Sequence, residues 1–98
     1  MIYTIEEIKN RTIPVAEEYG VTSMSLFGSY ARGEATIDSD ADILIDKGDI
    51  RGLIDYVDFI HDLKTVLKCD VDVVTTSSHN KRLLEHIRRE EVLLYEKP

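Results

Sequence analysis

The chain has 98 residues, with 12 Lys plus Arg against 19 Asp plus Glu and a formal charge of −7. A chain of this length supports one compact domain over residues 1–98 and argues against a deep, self-contained substrate cavity, because it buries only about 60–65% of its unfolded surface. Its acidity disfavours direct nucleic-acid binding, since sequence-blind attraction to a phosphate backbone requires clustered Lys and Arg.

The charge is unevenly distributed: all ten Asp fall between residues 38 and 72, where only four basic residues accompany them. No run approaches the roughly 18 apolar residues of a membrane span. The N-terminus lacks the basic and apolar regions of a signal peptide, and the lone Cys69 has no internal disulfide partner. A cytoplasmic protein without membrane contact is expected.

In chain order, Thr4 with Glu7 reads as a capping box, followed by Ile5, Ile8, Thr12, Val15 and Tyr19 at helical spacing until Gly20 stops the pattern. Pro14 predicts a kink or a restarted turn. Val21 to Phe27 alternates as a strand with Met24 and Leu26 on one face, and Gly28-Ser29 then turns the chain into a short helical segment ending near Gly33. After a polar loop, Asp40 to Asp46 reads as a second strand, with Asp40, Asp42 and Leu44 opposite Ala41, Ile43 and Ile45.

Leu53, Val57, Ile60, Leu63 and Leu67 mark a long amphipathic helix, with Asp55, Asp58 and Asp62 on a solvated face. Asp70 to Thr75 is a β-branched strand, with Asp72 facing away from Val71 and Val73. Ser77 or Ser78 is positioned to cap a fourth helix carrying Leu83, Leu84 and Ile87, and Val92 to Tyr95 closes the series as a short strand. The alternation implies an α/β (α+β) architecture, a small mixed sheet with helices packed on it.

The chemistry concentrates in the acidic middle. Asp-x-Asp occurs three times, where composition alone yields roughly one, and Asp40 and Asp42 open a strand whose i, i+2 spacing aims both carboxylates at one face. Burying neighbouring like charges is costly unless a cation neutralises them, and Asp72 would add a third carboxylate if its strand lies beside the second. Three hard oxygen donors suit Mg²⁺ or Mn²⁺. On spacing alone, a solvated strand edge explains Asp40 and Asp42 equally well, and Asp72 alone fits a common strand-end residue.

Gly28-Ser29 offers free backbone N–H groups and a hydroxyl to phosphate oxygens, or is a plain strand-ending turn. A P-loop is excluded because Glu34 and Ala35 stand where Lys and Ser or Thr are required. A calcium loop starting at Asp38 fails because Ile43 occupies the position needing Gly. Lys81, Arg82, Arg88 and Arg89 read as a solvated helix face partnered by Glu85 and Glu90. His61, His79 and His86 show no metal-ligand spacing.

The ordered combination GSYARGEATIDSDADILI followed by VDVV resembles the minimal nucleotidyltransferase family of the DNA polymerase beta superfamily, over nearly the whole chain. The resemblance implies the polymerase-beta-like nucleotidyltransferase fold. It implies that Asp40, Asp42 and Asp72 form the catalytic and metal-binding set for two Mg²⁺ ions, with Asp72 preferred over Asp70 for its apolar-Asp-apolar setting. Gly28 and Ser29 would grip the β and γ phosphates of a nucleoside triphosphate. Ser39 belongs to the same motif, and Arg32 would steady the triphosphate or pair with Glu34 or another carboxylate.

Stand-alone members of that family look like antitoxins that transfer AMP from ATP to a tyrosine of a HEPN-type ribonuclease toxin. The resemblance therefore implies a Mg²⁺-dependent protein adenylyltransferase whose acceptor site is borrowed from its partner. Two other readings stand beside it: a non-catalytic antitoxin that neutralises by occlusion, and nucleotidyl transfer to a small molecule or RNA.

Overall fold

The computed structural model describes residues 2–98. The elements run α1 (Ile5–Tyr19), β1 (Ser23–Phe27), α2 (Gly28–Arg32), β2 (Ala41–Asp46), α3 (Gly52–Leu67), β3 (Val71–Thr75), α4 (Lys81–Glu90) and β4 (Val92–Glu96). The capping box opens α1: the Thr4 hydroxyl accepts the Glu7 N–H at 3.0 Å, and the Glu7 carboxylate accepts the Thr4 N–H at 2.9 Å. The expected restart at Pro14 does not occur. The helix continues through this exposed residue because Val15 and Ala16, directly after it, are buried and hold the last turns in the core.

The strands form one sheet of order β3-β2-β1-β4. β1 pairs antiparallel with both β2 and β4, whereas β2 and β3 run parallel and are joined through α3. A parallel pair needs such a crossover, and the helical run between residues 52 and 67 supplies it. The larger core combines α1 and α3 with the sheet, burying Ile8, Met24, Leu26, Ile43, Phe59 and Leu63 completely. A second, smaller cluster joins Ile87 of α4 to Phe27 and Leu44. Alternation along β1 and β2 separates the two: Met24, Leu26, Ile43 and Ile45 belong to the first, Phe27 and Leu44 to the second.

Three local expectations are corrected. Leu53 and Val57 of α3 are 74% and 52% exposed, while Phe59 is fully buried, so the stripe that enters the core is Phe59, Leu63 and Leu67. Asp62 does not belong to a purely solvated face: it accepts the Tyr19 hydroxyl at 2.6 Å, which draws α3 to α1. The cap of α4 is Asn80 rather than Ser77 or Ser78; its side-chain oxygen accepts the Leu83 N–H at 3.1 Å, and the Ser78 hydroxyl instead accepts the Asn80 N–H.

Candidate active site

Sheet register carries the site. Asp42 and Asp72 are direct partners across the parallel β2–β3 pair, so they occupy equivalent positions on neighbouring strands. Each lies one residue inside its strand, and the Ala41 N–H donated to the Asp70 carbonyl at 2.9 Å locks the two strand starts together. Asp40 precedes β2 by one residue and is exposed, as is Asp72, whereas Asp42 is half-buried. Burial, then the charges of Asp72 and Asp40, pushes the Asp42 carboxyl above its ordinary range.

On the other side of β2, Phe27 pairs with Asp42, and the chain leaves β1 there through Gly28 and Ser29. Gly28 adopts φ +73°, a left-handed conformation that glycine tolerates best. A Cβ at this position would collide with Oδ2 of Asp42. Glycine is thus required twice over, by its backbone angle and by the carboxylate against it. The Gly28-Ser29 turn and the Asp-x-Asp strand form one packed unit.

Ser29 is half-buried in the first turn of α2, and its carbonyl accepts the Glu34 N–H at 2.8 Å, tying α2 to the loop that follows. Ser39 closes that loop: its hydroxyl accepts the Thr36 N–H at 2.8 Å and its own N–H donates to the Thr36 carbonyl at 3.0 Å, so it fixes the approach to Asp40. The Arg32 guanidinium lies 2.7 Å from Glu34 and 3.2 Å from Glu90. It is engaged with the carboxylates that the sequence left as its alternative partners.

The donor set fits a hard divalent cation. Among the described residues, no Lys, Arg or His forms an ion pair with Asp40, Asp42 or Asp72, and the more distant Arg32 charge offsets the repulsion at Asp42 only in part. Among the same residues, no three His, Cys, Asp or Glu groups converge into a ready-made cage.

Glu90 is the residue that sequence reasoning assigned to the solvated surface. Its side chain is only 14% exposed and reaches the Gly28 N–H at 2.5 Å. Burial opposes its charge, yet the bond from Gly28 and the positive charge of Arg32 outweigh that penalty and hold the carboxyl below its usual range. Its partner lies 62 residues away. No local spacing encodes the contact.

A mixed sheet that brings a Gly-Ser turn against paired strand carboxylates defines the nucleotidyltransferase class. The chain belongs to the family described as "Polymerase beta, Nucleotidyltransferase", whose pattern matches residues 10–98. It is 37% identical over 93 residues to the protein adenylyltransferase MntA of Thermococcus cleftensis, covering 91% of this chain and 94% of that protein. It is 42% identical over 88 residues to a candidate protein adenylyltransferase of Methanocaldococcus jannaschii, covering 90% and 95% of the two. Among solved structures, a toxin-antitoxin crystal structure with AMP-PNP contains a chain that superposes with a TM-score of 0.79 at 25% identity, over 91% of this chain and 73% of that one. A candidate minimal nucleotidyltransferase superposes with a TM-score of 0.77 at 32% identity, over 92% and 95%.

Proposed function

We propose that this chain is an antitoxin that transfers AMP from ATP to a tyrosine hydroxyl of a HEPN-type ribonuclease toxin and thereby silences it. The observation that carries this reading is the pairing of Asp42 with Asp72 in register, with Gly28 packed against Asp42. It supports a site in which strand carboxylates lie beside the Gly28-Ser29 turn, and relatives that share 37–42% of the sequence over most of its length bear the name of protein adenylyltransferases.

In this reading Asp40, Asp42 and Asp72 would hold two Mg²⁺ ions, with Mn²⁺ as a substitute of similar chemistry. Bound there, the ions would neutralise the triphosphate and acidify the attacking hydroxyl. The Gly28 N–H and the Ser29 hydroxyl donate to β and γ oxygens and fix the α-phosphorus in line with the acceptor, while Arg32 faces the departing pyrophosphate. Asp72 is the carboxylate that receives the hydroxyl proton. The acceptor oxygen forms a bond to the α-phosphorus as the bond from that phosphorus to the pyrophosphate oxygen breaks. Ser39 acts by fixing the loop before Asp40. The partner supplies the acceptor, and the chain's −7 charge suits a basic, RNA-cleaving surface.

The test is to mix the chain with its HEPN partner, Mg²⁺ and ATP and to weigh the partner. A gain of one or more AMP masses on tyrosine, absent with Asp42→Asn, is expected. Neutralisation that persists in that variant with no mass gain in the wild type would replace catalysis with occlusion. Label appearing in RNA or a small molecule while the partner stays unlabelled would replace the acceptor.

A further inference from the structure

Glu90 sits at the last position of α4 and faces the phosphate-type turn rather than solvent. Its Oε2 accepts the Gly28 N–H at 2.5 Å, Nη1 of Arg32 lies 3.2 Å from each carboxylate oxygen, and Nε2 of His86 lies 3.3 Å from Oε1. These donors include the backbone N–H and the guanidinium that a triphosphate would need. Glu90 also adds negative charge near Asp42, where Asp40 and Asp72 already repel. A carboxylate is tolerated among carboxylates because charge-assisted donors surround it.

We propose that Glu90 is the resident anion of the nucleotide site: it occupies Gly28 and Arg32 in the nucleotide-free protein, is displaced by the incoming triphosphate, and so sets nucleotide affinity. This rests on the assignment of Gly28 and Ser29 to phosphate binding. The neighbouring contacts allow the exchange without undocking α4, because Ile87 is fully buried beneath it and Glu91 accepts the Ser25 hydroxyl at 2.8 Å. Only the Glu90 side chain has to swing away. Its displaced charge meets solvent, and the phosphate oxygens inherit its donors.

The competing role is a structural clasp between α4 and the turn, and the two roles predict opposite effects. Glu90→Gln retains a carbonyl acceptor for Gly28 but removes the competing charge; Glu90→Ala removes both. Wild type and both variants would be titrated calorimetrically with inorganic tripolyphosphate plus Mg²⁺ and with ATP plus Mg²⁺, with folding checked by circular dichroism. Both variants should bind each probe about three- to fivefold tighter, a modest gain because Arg32 is 43% exposed and its ion pair is screened. Unchanged or weaker binding in folded Glu90→Gln would overturn the proposal.

If neither variant folds, the wild-type Glu90 carboxyl resonance decides the matter. It should shift together with the Gly28 amide as tripolyphosphate is added, and a Glu90 signal that stays fixed while Gly28 moves would overturn the exchange. Binding that is lost in Asp42→Asn but unaffected in Glu90→Gln would remove this role and leave the nucleotide site standing. Absence of binding in every folded form, wild type included, would overturn both.

Discussion

Replacing Asp42 by Asn separates the cost of the site from its use. In the metal-free protein Asp42 is half-buried, lies across from Asp72, and is held above its ordinary carboxyl range by burial and by two neighbouring carboxylates. Like charges opposite each other on a sheet cost about 0.2–1 kcal/mol, and because Asp72 and Asp40 are exposed the solvent-screened value lies near the middle, about 0.5 kcal/mol. The amide keeps the shape and loses the charge. Asp42→Asn should therefore raise the metal-free melting temperature by about 2–4 °C in a chain of this size. Added Mg²⁺ and ATP reverse the order: at about 100 times its dissociation constant a ligand stabilises by about 2.7 kcal/mol, which the wild type gains and the variant forgoes. Differential scanning fluorimetry with and without MgATP reads both effects, and adenylylation of the partner should fall by more than about 100-fold. A variant that melts below the wild type without ligand would refute the repulsion argument, and one that gains as much from MgATP would refute the role of Asp42 in holding the ligand.

Other substitutions probe the scaffold. Gly28→Ala forces a Cβ into Asp42 and strains a positive φ, so denaturant titration should show a loss of about 1–3 kcal/mol, with activity abolished. Phe59→Ala empties the fully buried centre of α3 and should cost about 3–5 kcal/mol by urea unfolding. Thr4→Ala removes the helix cap, with an expected loss of about 1 kcal/mol and no change in nucleotide affinity. The Tyr19 hydroxyl, donated to Asp62, titrates above its ordinary value chiefly because of that bond. Folding then favours the protonated phenol, so its stabilisation is complete below about pH 10 and is lost as the pH climbs further. Tyr19→Phe should flatten the alkaline limb of the stability curve, and an unchanged limb would show that Asp62 does not hold this proton.

The placement of the candidate site residues was readable where it follows from periodicity. Asp40 and Asp42 share parity on a strand, and Val71-Asp72-Val73 repeats that parity, so only the register between β2 and β3 was missing. Register depends on the crossover helix and its packing, which a linear pattern does not encode. Leu53 and Val57 show the same limit in α3: apolar spacing defines a helical stripe, but which turns lie over the sheet depends on where the helix enters, and its first turns overhang. Asn80 outcompeted Ser77 and Ser78 because the turn before α4 is longer than the hydroxyls suggested. Glu90 illustrates the harder case. Its spacing to His86 fits an ordinary helix pair, and that pair exists at 3.3 Å, yet the shorter bond is to a backbone group brought near only by tertiary folding.

The two sides of the sheet are unequally anchored: α1 and α3 share an extensive core, whereas α4 seats Ile87, with half-buried Leu83 and Leu84, on Phe27, Leu44 and Val74. Free energies of local opening follow such differences in buried apolar contact. The flank bearing Glu90 and facing Gly28 is therefore the first to come loose on warming, while β1, β2 and β3 remain assembled. Amide exchange in α4 should therefore run ahead of exchange in β1 and β2, so that one face of the sheet is uncovered below the temperature at which the sheet itself unfolds.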